Sequence, residues 1–262
     1  TGTEFIAEFQ AKADELGIPV ITNMKAEELI KNKDGRVVGV KATMDGSEYT
    51  FNAKGGVVLA TGGFGANPEM VKKYNPKIDE RFKTSDAPGT TGEALYMAER
   101  AGAELVNMGY IQTYPICDPI SGAIELIADA RFDGAIMLNQ EGKRFVEELQ
   151  RRDVLSEAIL NQTGRYCWVL WNDNIGKISN TVKAHANEYE AFTKQGVMTT
   201  CDDLKCIADF TKIPFDQLQK TVKRVSDMAG KGNDKDFNHR SGLIDMQQGK
   251  YYVIKAVPST HH

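Results

Sequence analysis

The segment that most constrains the fold is a short apolar run that ends in glycines. Residues 55–60 read GGVVLA and are followed directly by Thr61, Gly62 and Gly63. This pattern predicts a buried strand that enters a tight loop, where the missing Cβ atoms let a bulky ligand approach bare backbone. A Thr-Gly-Gly turn is by itself more often purely structural. No G-x-G-x-x-G follows a strand, so the dinucleotide-binding fingerprint is missing from these residues.

Periodicity around this run alternates between helical and extended. Helices are predicted at 5–16, 92–102, 154–162 and 214–229, the last with an apolar stripe of Leu218, Val222, Val225 and Met228. Strands are predicted at 20–22, 27–30, 36–44, 48–51, 166–171 (as a central strand) and 251–257, with hairpin turns at Asp34-Gly35 and Asp45-Gly46 and a loop at 231–240. The chain is therefore expected to be α/β (α+β), with a domain boundary near 105–110.

Composition excludes some classes of partner. The formal net charge is −4, which gives no basic field for a nucleic acid. No apolar run approaches the roughly 20 residues of a membrane helix. The chain opens at Thr1 without Met, so we expect a processed or excised segment, in which a missing targeting sequence means little.

The cysteines carry no recognisable metal or disulfide pattern. Cys117, Cys167, Cys201 and Cys206 form no C-x-x-C pair, so no zinc or other metal site is predicted. They are too few for a disulfide framework. We expect unpaired thiols scattered over core and surface.

A charged stretch at 139–153 has two interpretations. A solvated surface is the ordinary one. Four arginines nevertheless fall close together, and guanidinium groups suit bidentate binding of a carboxylate; they are Arg131, Arg144, Arg151 and Arg152. The final His261-His262 pair is either a tag remnant or native, and the native-looking VPST before it favours the latter.

Together these motifs resemble the soluble fumarate reductase family of the flavocytochrome c type, over nearly the whole chain. The matching elements are, in order, ATGGF, APGTTGEAL, MGYIQTYP, GAIMLNQEGKRFVEE, RRD and the final HH. The resemblance implies part of a Rossmann-like FAD-binding domain (1–107), an inserted α+β capping domain (108–250) and a return strand (251–262). The pyrophosphate-binding βαβ unit would precede Thr1, and a TMGG segment and a further arginine would follow His262. The FAD site would then be incomplete, and we expect this piece to be inactive alone.

The resemblance also implies roles for individual residues. Members of the family reduce a double bond conjugated to a carboxylate, with hydride from flavin N5. Arg152 matches the proton donor, Arg131 the relay arginine and His261 the residue that binds the substrate carboxylate. The relay glutamate has no clean match, and either Ala128 or Asp129 falls at its position. Flavin contacts match at Ala26, Thr61, Gly62, Glu93 and His262.

Departures from the family pattern concern the distal end of the substrate. Tyr114-Pro115 replaces a His-Pro pair that grips the second carboxylate of fumarate, and Ile127 replaces a threonine. A second carboxylate would lose two donors and lie near the anion Asp129, which is unfavourable in a buried site. Tyr114 and Asp129 look like those of urocanate reductases, in which an imidazole ring can stack and donate an N–H. Urocanate is therefore the expected substrate.

Other functions remain open at this stage. Fumarate, methacrylate or a cinnamate is the alternative substrate, and a non-catalytic cap module is the alternative of another class. The resemblance implies an electron-donor domain or protein, with FMN or haem outside these residues, because no C-x-x-C-H haem site is present. Export to the periplasm is expected, with the cytoplasm as the alternative.

Overall fold

The computed structural model describes residues 2–262, in which short helices and strands alternate along the chain. The helices are α1 (Gly2–Glu15), α2 (Pro68–Tyr74), α3 (Glu93–Ala101), α4 (Arg152–Leu160), α5 (Asp173–Ser179), α6 (Thr181–Ala184), α7 (Ala186–Gln195), α8 (Leu204–Thr211) and α9 (Phe215–Ala229). The strands are β1 (Lys25–Lys31), β2 (Val37–Met44), β3 (Ser47–Asn52), β4 (Lys83–Thr84), β5 (Thr113–Cys117), β6 (Ile136–Leu138), β7 (Cys167–Asn172), β8 (Met198–Cys201) and β9 (Tyr251–Thr260). Two 3-10 segments lie at Leu126–Asp133 and Thr163–Arg165.

The chain forms two compact units. One contains the residues up to Gly62 together with Gly92–Val106, and the other contains Gly63–Thr91 together with Asn107–His262. The predicted domains have different bounds. That residues 1–107 and 251–262 form an FAD-binding domain and residues 108–250 a cap stays a prediction.

The first unit is an antiparallel sheet in the order β1-β2-β3, to which α3 is attached. The strands predicted at 27–30, 36–44 and 48–51 are confirmed as β1, β2 and β3. In the turn between β2 and β3, Asp45 and Gly46 both have positive φ, 50° and 77°, which is the type I′ geometry that Asp-Gly favours. Arg100 at the end of α3 donates to the Glu27 carbonyl at 3.0 Å, and Lys31 donates to the Ala101 carbonyl at 3.0 Å.

Two strand predictions in this unit were wrong. Residues 20–22 and 55–60 have no regular secondary structure, and Val58 is 89% exposed. A strand needs a neighbour for its backbone N–H and C=O groups, and neither segment pairs with another strand in the described part of the chain. The predicted helix is confirmed as α1, but it has no buried residue.

The second unit is built around β9, the longest strand. It pairs in parallel with β4 and antiparallel with β5, β7 and β8, while β6 pairs with β7. The predicted strand at 166–171 is confirmed as β7, interior between β9 and β6. The strand predicted at 251–257 is confirmed as β9, and its assignment to the FAD-binding domain stays a prediction. The predicted stripe of α9 is buried, with Leu218 fully inaccessible.

The cysteine prediction was wrong for one pair. Cys201 ends β8 and Cys206 lies in the first turns of α8, with Cα atoms 5.7 Å apart, and the two form a disulfide. Local chain reversal makes a five-residue separation compatible with a bond. Cys117 and Cys167 are free and buried. Within residues 2–262 no three His, Cys, Asp or Glu side chains are grouped to hold a metal ion. No helix there is long and apolar enough to cross a bilayer.

Thiol alkylation should distinguish the two kinds of cysteine. The thiolate is the reactive form, and burial raises the pKa of the Cys117 thiol to about 12. Cys117 and Cys167 should therefore react only after denaturation, and Cys201 and Cys206 only after reduction as well, as read by peptide mass spectrometry. Alkylation of Cys201 and Cys206 in denatured, unreduced protein would contradict the disulfide.

Candidate active site

Tyr114 lies at the centre of a cluster of predicted site residues in the second unit. It is on β5 and only 5% exposed. The guanidinium carbon of Arg152 lies 4.7 Å from the centre of its ring, and the ring centre of His261 lies 5.5 Å away. Because Tyr114 pairs with Ser259 of β9, sheet register brings it beside the end of that strand. The structure thus brings together three residues separated widely in sequence.

Asp129 and Arg131 join the cluster from the 3-10 segment Leu126–Asp133. Burial raises the pKa of Asp129, and the positive charges of Arg131, His185 and Arg152 oppose this. Burial and then Asp129 raise the pKa of Tyr114, while the positive charges of Arg131 and Arg152 oppose the shift. The carboxylate of Asp129 and the buried phenol of Tyr114 therefore lie near the buried Arg131 and the exposed Arg152.

Arg131 is buried and hydrogen-bonded to the backbone of Glu148. It is 4% exposed, and its Nη1 donates to the carbonyl of Glu148 at 3.1 Å. Its buried Nε has no hydrogen-bond partner among the described residues. Of the two candidates for the relay position, Ala128 is fully buried and not ionisable, whereas Asp129 interacts with both arginines.

Arg152 is positioned by Gln112, which sequence reasoning missed. Arg152 is the first residue of α4, and its Nη1 donates to the side-chain oxygen of Gln112. The Gln112 backbone accepts from His261 N at 2.8 Å and donates to the His262 carbonyl at 2.6 Å. The same residue therefore links the arginine to the end of β9. Nothing in the motif MGYIQTYP distinguishes this amide from an ordinary loop glutamine.

His261 has its own polar support. Its Nδ1 lies 2.9 Å from the hydroxyl of Ser85, a second residue that the sequence did not indicate. Its ring centre lies 4.8 Å from that of His262, which is exposed. Burial lowers the pKa of His261, as do His262 and Arg152, against the opposite effect of Asp86. The imidazole is thus biased toward its neutral form.

Asp86 adds a buried acceptor next to the histidines. Burial raises its pKa, and the charges of His261 and His262 oppose the shift. Its Oδ2 is buried and, within residues 2–262, has no hydrogen-bond partner. A Cβ on Gly65 would lie only 1.6 Å from that oxygen. The approach of this carboxylate therefore requires glycine at position 65.

Two of the four arginines in the charged stretch do not belong to the cluster. Arg144 is buried, with its Nη2 2.7 Å from Glu148 and 2.8 Å from Asp234. Arg151 pairs with Asp153 on the surface. Arg144 is therefore not available to bind a carboxylate ligand, because protein anions already pair with it.

The predicted flavin contacts, apart from His262, lie in the first unit. Ala26 on β1 and Glu93 at the start of α3 line the same cavity of about 180 Å³. Thr61 and Gly62 lie in an exposed loop, and Gly62 has a φ of 79°. A Cβ added to the next residue, Gly63, would meet nothing within 4 Å. Thr61 and Gly62 do not line this cavity, and the role of all four residues as flavin contacts stays a prediction.

Comparison with known proteins decides the family. The profile described as FAD binding domain matches residues 1–262. The chain belongs to this FAD binding domain family. Among curated relatives, the urocanate reductase of Eggerthella lenta is 38% identical, covering 100% of this chain and 44% of its own length. The NADH:acrylate oxidoreductase of Vibrio harveyi is 34% identical, covering 100% of this chain and 26% of that protein.

Fumarate reductases are similar in both sequence and structure. The fumarate reductase (cytochrome) of Shewanella frigidimarina is 31% identical over 100% of this chain and 44% of its own length. The open conformation of a flavocytochrome c3 fumarate reductase superposes with a TM-score of 0.83 at 30% identity, over 100% of this chain and 45% of that one. The predicted fumarate reductase flavoprotein resemblance, fold class and FAD are confirmed. The chain spans less than half the length of these relatives.

The buried ion pair predicts a large effect on stability. Asp234→Ala should lower the free energy of unfolding in urea by about 3–5 kcal/mol, because it removes two charged hydrogen bonds from the buried Arg144. The exposed pair Lys223–Asp227 provides a control, since Asp227→Ala should cost under about 1 kcal/mol.

The same variant predicts a pH dependence. Burial by itself would raise the pKa of Asp234, but hydrogen bonds from Arg144 and the His239 backbone lower it well below its usual value. A depressed pKa contributes stability above the unfolded pKa of about 4. The difference between wild type and Asp234→Ala should therefore shrink as pH falls below that value. A constant difference across this range would contradict the assignment.

Proposed function

We propose that the complete protein reduces the carbon–carbon double bond of an α,β-unsaturated carboxylate, and that the substrate is urocanate, which becomes imidazole propionate. The observation that carries this proposal is the meeting of Tyr114 and Asp129 with Arg131, Arg152 and His261 in one cluster. Reduced FAD, when bound, supplies the hydride to the β-carbon. This chain then has to bind the carboxylate, stabilise the developing charge and deliver a proton to the α-carbon.

The carboxylate is held by donors at the end of β9 and the start of α4. His261 supplies an imidazole N–H and Arg152 a guanidinium group. Negative charge spreads toward the carboxylate as the hydride adds, and fixed cations stabilise that charge more than the ground state. Gln112 keeps Arg152 in place, so little reorganisation is needed during the reaction.

Arg152 also gives the proton. A guanidinium has an ordinary pKa above about 12, so it is a weak acid in water. It can act if it is held against the forming carbanion and regains its proton quickly. Asp129 interacts with both Arg152 and Arg131, which makes it the middle member of a relay between them. Arg131, fixed to the Glu148 carbonyl, supplies the proton through Asp129.

The distal end of the substrate is selected by Tyr114, Asp129 and Ile127. The carboxylate of Asp129 accepts an imidazole N–H, and the aromatic ring of Tyr114 offers a surface for the imidazole. Ile127 is fully buried and offers no side-chain donor. The second carboxylate of fumarate would lie beside the anion Asp129 and would receive no hydrogen bond from the side chain at position 127. Burying it there would cost several kcal/mol.

The relatives support the reaction and leave a second candidate substrate. Urocanate, acrylate and fumarate appear in the names of the relatives described above. Their shared feature is the enoate group, which the cluster of Arg152 and His261 fits. Acrylate or fumarate is therefore the second candidate. A non-catalytic cap module is the alternative of another class, and it predicts no bound flavin absorbance in the complete protein.

The electron donor and the compartment are also proposals. We place the donor, with FMN or haem, in another domain or a separate protein. The Cys201–Cys206 disulfide supports export, because disulfides persist in oxidising compartments.

Exchange of the distal residues tests the choice of substrate. Tyr114→His with Asp129→Ala should lower kcat/KM for urocanate by about 100-fold, from the loss of one charged hydrogen bond and one ring contact. Fumarate turnover should fall less or rise. The control is Tyr49→His with Asp209→Ala, since both side chains are exposed and lie on β3 and α8, away from the candidate site in sequence. Unchanged urocanate turnover would mean that the distal site is misassigned.

The proton donor has a neighbouring control. Arg152→Lys should lower kcat by about 10²–10⁴-fold, because a general acid is lost from its position, while bound flavin is still reduced by the donor. Arg151→Lys, one residue earlier and paired with Asp153 on the surface, should leave kcat unchanged. Equal effects of the two variants would refute the role of Arg152. Rates are measured anaerobically in the complete protein.

A further inference from the structure

Ser85 is fixed to the end of β9 by its backbone and to His261 by its side chain. Thr84, the residue before it, pairs in parallel with Thr260. The Ser85 N–H donates to the Thr260 carbonyl at 2.8 Å, and its hydroxyl lies 2.9 Å from His261 Nδ1. The serine and the histidine are therefore held in register by the same strand pairing.

The direction of the Ser85–His261 hydrogen bond decides what the other ring nitrogen presents. A neutral imidazole carries one N–H, on either Nδ1 or Nε2. If the hydroxyl donates to Nδ1, the ring proton is on Nε2, which can then donate to a carboxylate. If Nδ1–H donates to the hydroxyl, Nε2 presents a lone pair that repels a carboxylate.

The acceptors around Ser85 favour donation to the ring. Its hydroxyl has two acceptors within reach, Nδ1 at 2.9 Å and the Thr260 carbonyl at 3.2 Å. An O–H···O hydrogen bond ordinarily spans about 2.5–3.0 Å, so the approach to the carbonyl is long. Nδ1 lies at an ordinary hydrogen-bond distance and has no other hydrogen-bond donor among the residues that the structure describes. The hydroxyl proton therefore goes to Nδ1.

The surroundings of His261 favour its neutral form, so the tautomer of the neutral ring matters near neutral pH. His262 and Arg152 disfavour a second proton on the ring and Asp86 favours one, while burial adds to the first effect. The Tyr114 ring is the other neighbour. With the ring mostly neutral, binding of a carboxylate depends on where its one proton lies.

We propose that Ser85 is a positioning residue that fixes His261 in the Nε2–H tautomer, so that the neutral imidazole donates a hydrogen bond to the enoate carboxylate. This role rests on the proposed function of His261 as a carboxylate ligand. Ser85 does not touch the substrate and acts only through the histidine ring.

Steady-state kinetics of the complete, flavin-loaded protein test the consequence for binding. Ser85→Ala should raise KM for urocanate about tenfold, since a hydrogen bond to a charged group is lost, with a smaller change in kcat. In this variant only the imidazolium reliably carries the Nε2 proton, so KM should increase further as pH rises through neutrality. Ser85→Thr, which keeps the hydroxyl, should restore the wild-type KM and its flat pH profile. A Ser85→Ala enzyme with wild-type KM and profile would overturn the proposal.

Nitrogen-15 NMR of histidine-labelled complete protein tests the tautomer without turnover. His261→Asn assigns the signal, and the His185 signal serves as the control for folding. The wild type should show an unprotonated Nδ1 that becomes partly protonated in Ser85→Ala. A wild-type ring protonated on Nδ1 would overturn the proposal. Failure to reduce any enoate, with the Nε2–H tautomer observed, would refute the proposed function alone.

Discussion

The antiparallel pairing of β5 with the end of β9 is the constraint on which the candidate site depends. It places Tyr114 opposite Ser259, and it continues through the Gln112 backbone to His261 and His262. Gln112 then extends the same connection to Arg152. A shift of one residue in this register would turn Tyr114 to the opposite face of the sheet. The side chains in the site are thus positioned mainly by backbone hydrogen bonds.

A second set of contacts positions the buried arginines. Glu148 binds Arg144 through its carboxylate and accepts a hydrogen bond from Arg131 at its carbonyl, so the same residue positions both arginines. Asp234 also binds Arg144. Arg131 and Arg152 are left to interact with Asp129. Glu148 and Asp234 are thus paired with Arg144 inside the protein. Asp129 is not part of this ion pair, and in the proposed function it binds the substrate.

Local features of the fold could be predicted from the sequence. Helix α9 and the Asp45-Gly46 hairpin were predictable because spacing and turn chemistry are local properties. The strand at 55–60 was not, since an apolar run forms a strand only when a neighbour satisfies its backbone. The pairing of Arg144 with Asp234 could not be predicted for a similar reason, since the two residues are 90 apart in sequence.

Only the site residues that lie in the family motifs could be predicted from the sequence. Resemblance to the family indicated Arg152, Arg131, Tyr114, Asp129 and His261, and the structure brings these residues together. Gln112 and Ser85 were missed because their roles arise from pairing with β9, which no local pattern reveals. The separation of the cysteine pair, by contrast, is short, and the structure shows that short spacing outside a C-x-x-C motif still permits a disulfide.

The most direct test of the account is anaerobic reduction of urocanate against fumarate by the complete protein, with a reduced dye as electron donor. The account predicts rapid dye oxidation with urocanate and little with fumarate, because Tyr114 and Asp129 accept an imidazole and disfavour a second carboxylate. Rapid oxidation with fumarate and little with urocanate would contradict it.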